Sequence, residues 1–160
     1  MAYYLDKERE ADAVGAYRRY QEYLREQRDT LPPTAFELGT AEWYQNPKDH
    51  RCPHDAWLED IVIAEPAKGD RHENRHTTIR IRLLGAHHDT FIEFCYPQVF
   101  SYSFLSPSSS RGMGDWRYDE FRVSPAGHLL HEIEWAGGSR WIIEASDVKF
   151  TWLPKPGATS

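Results

Sequence analysis

The sequence predicts an α+β fold: two N-terminal helices packed on a curved, mainly antiparallel sheet of about seven strands. Three observations carry this expectation. Up to about residue 46, apolar residues recur at spacings of three and four, the period of a helix with one buried face. From residue 57 onward they alternate with polar ones, the period of a strand. The links between alternating runs are short and rich in Gly and Pro, which favours hairpins over βαβ crossovers.

Residues 4–29 read as one long helix, with Ala13, Val14, Tyr17, Tyr20 and Leu24 on a common face. Asp29-Thr30 followed by Pro32-Pro33 stops it. At 1.5 Å per residue it would be about 39 Å long, so it should run along the sheet or project past it. Thr34-Ala35-Phe36-Glu37 has the form of a capping box and opens a second helix, which Asn46-Pro47 ends. Strand patterns then cover residues 57–65, 77–84, 90–96, 99–105, 116–123, 129–135 and 141–145, with 149–153 as an extension or an eighth strand. The clearest is 77–84, where Ile79, Ile81 and Leu83 oppose Arg80 and Arg82. Trp57, Phe91, Phe94, Phe104, Phe121, Ile133, Trp135 and Ile143 are the expected core. Residues 66–74 read as a polar loop and 106–114 as a flexible one. The organisation is one domain over 1–160: a helical N-terminal segment (1–46), an antiparallel β segment (55–154) and a tail (155–160).

Composition excludes several function classes. A chain of 160 residues buries about two-thirds of its unfolded surface and folds without staples. The 19 basic residues against 25 acidic ones give a net charge of −6, against the basic footprint of a nucleic-acid binder. No window approaches a membrane span. The start is charged where a signal peptide would be apolar, and Cys52 and Cys95 lie outside any CxxC pattern. The expectation is a cytoplasmic protein with two free thiols.

Candidate chemistry is sparse. His50 and His54, and His72 and His76, are four apart, but the first pair spans Pro53 and the second a loop. His87-His88-Asp89 and His128, His131 and Glu132 are close in sequence without a ligand spacing. No Gly-x-Ser-x-Gly elbow or phosphate loop occurs. The expectation is no catalytic residue, no cofactor and no metal. Residues 115–147 hold seven acids against Arg117, Arg122 and Arg140, a net −4. Glu132 and Glu134, two apart on one strand, share a side. With interleaved aromatics, the residues Asp115, Trp116, Tyr118, Glu120, Glu132, Glu134 and Arg140 form the expected partner-binding patch.

The segments His54-Asp55-Ala56-Trp57-Leu58, Gly114-Asp115-Trp116-Arg117-Tyr118-Asp119-Glu120, Leu129-Leu130-His131-Glu132-Ile133-Glu134-Trp135 and Trp141-Ile142-Ile143-Glu144-Ala145 carry a resemblance. Together they resemble small bacterial proteins similar to the immunity proteins of polymorphic toxin systems. The resemblance spans about residues 50–154, leaves the helical segment unmatched and transfers no catalytic residue. It implies a non-enzymatic, cytoplasmic antitoxin that binds a cognate toxin and occludes its active site, without nucleic acid or membrane partners. Two other classes compete with it. One is a small His/carboxylate enzyme, including a metal-dependent hydrolase. The other is a homo-oligomeric structural or ligand-binding protein, with a homodimer as its simplest form.

Overall fold

A computed structural model describes residues 2–157; position 1 and positions 158–160, the end of the expected tail, lie outside the described residues. The N-terminal helix is not continuous. It forms as α1 (Glu8–Ala11) and α2 (Ala13–Glu26), separated by Asp12 in a non-helical conformation. Asp12 caps α2, its Oδ1 accepting from the Gly15 amide at 2.9 Å. A short acid at a helix start satisfies an amide that a continuous helix would have used otherwise, so the chain turns there. A Cβ on Gly15 would lie 1.8 Å from the Asp12 carboxylate, so a larger residue there would make that side chain shift. The buried face is Ala16, Tyr20 and Leu24. Val14, expected on that face, is 82% exposed.

Helix α3 (Pro33–Thr40) begins one residue earlier than the expected capping box. Pro33 takes the first helical position, where its missing N–H costs nothing and its φ is preset. Thr34 then sits inside the first turn and caps nothing. A 3-10 turn over Glu42–Gln45 follows and places Tyr44 in the core.

The strands are β1 (Trp57–Ala64), β2 (Ala67–Lys68), β3 (Asn74–Arg75), β4 (Thr77–Leu84), β5 (Thr90–Leu105), β6 (Trp116–Val123), β7 (Leu129–Trp135), β8 (Arg140–Ala145) and β9 (Lys149–Pro154). Strands β2 and β3 form a small hairpin inside the expected polar loop. The remaining seven form one antiparallel, open sheet in the order β1-β4-β5-β8-β7-β6, with β9 beside β5. The two strands expected at 90–96 and 99–105 are one bent strand. Its first half pairs with β4 and β9, its second half with β8. Irregularities in both ladders between Tyr96 and Ser101 let it bend without breaking. The sheet is therefore not a simple meander, because β5 joins β8 and the chain returns to β6 across the width of β7 and β8.

The curved sheet wraps one core. Ile79, Ile81, Leu83, Ile92, Phe94, Trp116, Phe121, Ile133, Trp135 and Ile143 each expose 1% or less. Trp57, expected among them, is 48% exposed. Helix α2 meets the sheet at its edge strand β6 rather than lying along a face. The Tyr20 hydroxyl accepts from the Phe121 amide at 2.7 Å and donates to the Phe121 carbonyl at 3.2 Å. The Tyr23 hydroxyl accepts from the Val123 amide at 2.8 Å. At the other end of β6, Trp116 exchanges backbone bonds with Asp55 and Ala56 at 2.8 and 2.9 Å. A sheet edge that would otherwise invite another chain is thus closed by phenols and by the entry to β1.

Residues 106–114, read as flexible, are held at their C-terminal end on the β7–β8 hairpin. Gly137 N donates to the Met113 carbonyl at 3.0 Å and Ala136 N to the Asp115 carbonyl at 2.7 Å. Gly137 permits this approach, since a Cβ there would meet the Met113 carbonyl oxygen at 2.6 Å. No helix among the described residues is long and apolar enough to cross a membrane.

Candidate functional site

The seven expected partner-binding residues occupy three different environments. Trp116 is 0% exposed, its ring stacked on Phe94 at 5.2 Å, because the irregularity between it and Tyr118 turns it inward. Glu120 is also 0% exposed. Its Oε1 accepts backbone amides from Tyr3, Tyr4 and Leu5, so the N-terminal segment folds over it. Neither residue is available to a partner, and both leave the expected patch. Tyr118 is half-buried under Arg9, whose guanidinium lies 4.2 Å from the ring centroid.

The remaining acids of this face are compensated. Glu132 pairs with Arg122, and with Arg140 at 3.5 Å. Glu134 pairs with Arg9 at 3.0 Å and Arg140 at 3.1 Å. Arg122, 8% exposed, also pairs with Glu120. The chain Glu120–Arg122–Glu132–Arg140–Glu134–Arg9 alternates in sign across β6, β7, β8 and α1. Such a ladder fixes the N-terminus to the sheet, and it cancels the local charge that the sequence displays. Asp115 stands apart: its Oδ1 accepts from the Trp57 indole N–H at 2.7 Å.

Beneath this face lies a buried polar network. The Asp119 carboxylate accepts from Tyr44 OH at 2.6 Å and Trp116 Nε1 at 3.1 Å, and meets His131 Nε2 at 2.7 Å. The other imidazole nitrogen, Nδ1, lies 2.6 Å from Tyr96 OH. Burial pushes the Tyr96 and Tyr44 phenols well above 10.0, so both remain donors. A carboxylate only accepts, so the neutral imidazole turns Nε2–H toward Asp119 and offers Nδ1 to the Tyr96 hydroxyl. Asp119 lines a cleft of about 220 Å³ with Tyr4, Tyr44, His54 and Tyr118. Asp119 thus holds three donors at once, and both nitrogens of His131 have partners.

The phenols make this network pH-sensitive in one direction. Tyr20, Tyr44 and Tyr96 are all raised well above 10.0, chiefly by desolvation. Below that value neither folded nor unfolded chain ionises them, and stability is unaffected. Above it the unfolded chain releases protons that the folded chain retains, so stability falls by about 1.4 kcal/mol per pH unit for each phenol. A tyrosinate absorbance titration should show three of the nine tyrosines ionising only with unfolding. Smooth titration of all nine in the folded chain would contradict the buried network.

Other candidate clusters are committed elsewhere. Glu144 accepts from Ser124 Oγ at 2.8 Å and Ser101 Oγ at 3.0 Å, and meets His128 Nδ1 at 2.9 Å. These contacts, that of Ser124 first, lower its pKa. Both hydroxyls face the carboxylate rather than the imidazole, so the geometry is not that of an activated serine. His50 stacks on His87 at 3.9 Å and meets Asp89 at 2.6 Å, tying the 46–50 loop to the turn after β4. Cys52 is buried, and burial pushes its thiol up to about 12, which removes it as a nucleophile. Among the described residues, no three His, Cys, Asp or Glu side chains converge to hold a metal ion.

The surface overlooked from sequence is β1. Asp55, Glu59, Asp60, Glu65, Asp70 and Glu73 stand against Lys68 and Arg71, a net −4 over a shorter stretch than 115–147. A charge count over this window would have found it. β1 is the outermost strand, with Trp57 48%, Val62 43% and Ile63 43% exposed. Asp60 pairs with Arg80 at 3.1 Å. Trp57 and Leu58 border a cavity of about 370 Å³ with Arg111, Met113 and two glycines. Comparison with known protein families, curated proteins and solved structures finds no match to this chain.

Proposed function

We propose that this chain is a non-enzymatic, protein-binding immunity protein that occludes a basic toxin cleft with the β1 edge and its Trp57–Asp115 corner. The observation that supports this most is the pairing on β1 of exposed apolar side chains with acidic ones. Trp57, Val62 and Ile63 are large apolar groups at the surface, alongside Glu59, Asp60 and Glu65. Acidic charge speeds encounter with a basic cleft, and an oriented Trp slows departure. The bond from Trp57 to Asp115 orients that ring before any partner arrives. Asp115 is thus the one member of the expected patch retained as a surface contact. Cytoplasmic action in a bacterial host belongs to the same proposal.

The test is to look for a secreted toxin encoded beside this chain and to co-express the two. The native protein should restore growth, and Glu59→Lys with Asp60→Lys should abolish protection while leaving the fold intact. Association should slow by about 10-fold or more at low salt, and by less at high salt, where screening shortens the reach of charge. Growth protection and salt dependence unchanged in the doubly reversed protein would overturn the assignment of this surface.

A further inference from the structure

We infer that the open edge of β5 from Phe100 to Leu105 pairs antiparallel with the same edge of a second copy of this chain, joining two sheets into one. From Phe91 to Cys95, β5 lies between β4 and β9, and from Tyr96 to Val99 it keeps β4. Beyond Val99 its partner is β8 alone, because β4 begins at Thr77, which is opposite Val99. Six residues, about 20 Å of strand, therefore present backbone donors and acceptors along one edge. Phe100, Tyr102 and Leu105 are 45%, 48% and 68% exposed there.

Two observations choose the occupant. Open edges are ordinarily protected by charge, proline or a covering element. Here no charged residue occurs between Glu93 and Arg111, although the chain carries 19 basic and 25 acidic residues. Two copies of a chain with net charge −6 repel each other, and this neutral edge is where they approach at least cost. The β1 edge lacks that property, since antiparallel self-pairing centred on Val62 would oppose Glu59 of each copy with Glu65 of the other. A neutral edge accepts its own image, whereas an acidic edge needs a basic partner.

The faces of β5 also set the register. Tyr102 and Phe104 pair with Ile143 and Trp141 on the core side, while Ser101 and Ser103 pair with Glu144 and Ile142 on the other. Directly opposed residues in antiparallel strands share a face, so the two-fold axis passes through a residue rather than between two. Centred on Ser103, it places Tyr102 of each copy opposite Phe104 of the other, and Ser101 opposite Leu105. Both aromatic pairs then extend the stack in which Tyr102 and Phe104 already lie 5.3 Å apart.

Sedimentation equilibrium of the full chain tests this. The native protein should have twice its 18.7 kDa chain mass. Ser103→Lys, which opposes two ammonium groups at the axis, should sediment as a monomer with unchanged circular dichroism. Val62→Lys, on the β1 edge, should remain a dimer. Should Ser103→Lys fail to fold, Ser103→Cys gives a second measurement. Axis residues lie about 4.5–5.5 Å apart between Cα atoms, within disulfide range, so mild oxidation should crosslink two copies. A monomeric native protein, a dimer broken by Val62→Lys but not by Ser103→Lys, or failure of Ser103→Cys to crosslink would overturn the proposal.

Discussion

Replacing Asp119 with alanine is expected to destabilise the protein by about 3–5 kcal/mol, as removal of one partner from a buried charged network does. The carboxylate is the shared acceptor for Tyr44, His131 and Trp116. Its removal orphans three donors in a region where His131 and Trp116 are 0% exposed. Against a total stability of about 5–15 kcal/mol, this is a large fraction. Asp119→Asn keeps the volume but turns an amide N–H toward a donor, and should cost about 1–3 kcal/mol. Urea unfolding checks both, and near-ultraviolet circular dichroism of Trp116 reports the local effect. A loss below about 0.5 kcal/mol, the size of a neutral surface change, would show that water replaces the carboxylate.

Tyr20→Ala should cost a similar amount, about 3–5 kcal/mol, because it removes an aromatic ring that is 1% exposed. Tyr20→Phe separates the ring from its hydroxyl. It leaves the Phe121 amide without the partner it has at 2.7 Å, and should cost about 1–3 kcal/mol. If Phe is neutral while Ala is severe, α2 contributes packing alone and the closure of the β6 edge by phenols is incidental. If both are neutral, the helix is peripheral to the fold.

The β4 alternation was legible because Ile79, Ile81 and Leu83 belong to one strand, where side follows from parity alone. The helix break at Asp12 was not, since the same residues suit either a helix interior or a cap. The unbroken course of β5 was hidden by Pro97, which reads as a strand end but sits where the strand bends. The net acidity expected of the patch is lost for a different reason. Glu132 and Glu134 do share a side, as their spacing requires. Their neutralisation depends on Arg140 and on Arg9, which reaches Glu134 from 125 positions away. A charge count along the chain sees the acids and has no access to that fold-dependent countercharge. The burial of Trp116 follows from a local ladder irregularity, which no alternation rule anticipates.

Hydrogen exchange of the chain alone and with a toxin that it proves to neutralise tests the proposed binding surface most directly. The outer side of β1 has no strand partner, so its amides exchange readily in the free chain and are covered only by a visitor. Protection on binding is expected over residues 57–64 and around Asp115, with little change in β6, β7 and β8. Protection confined to Glu132, Glu134 and their neighbours, with β1 unchanged, would contradict the proposed interface.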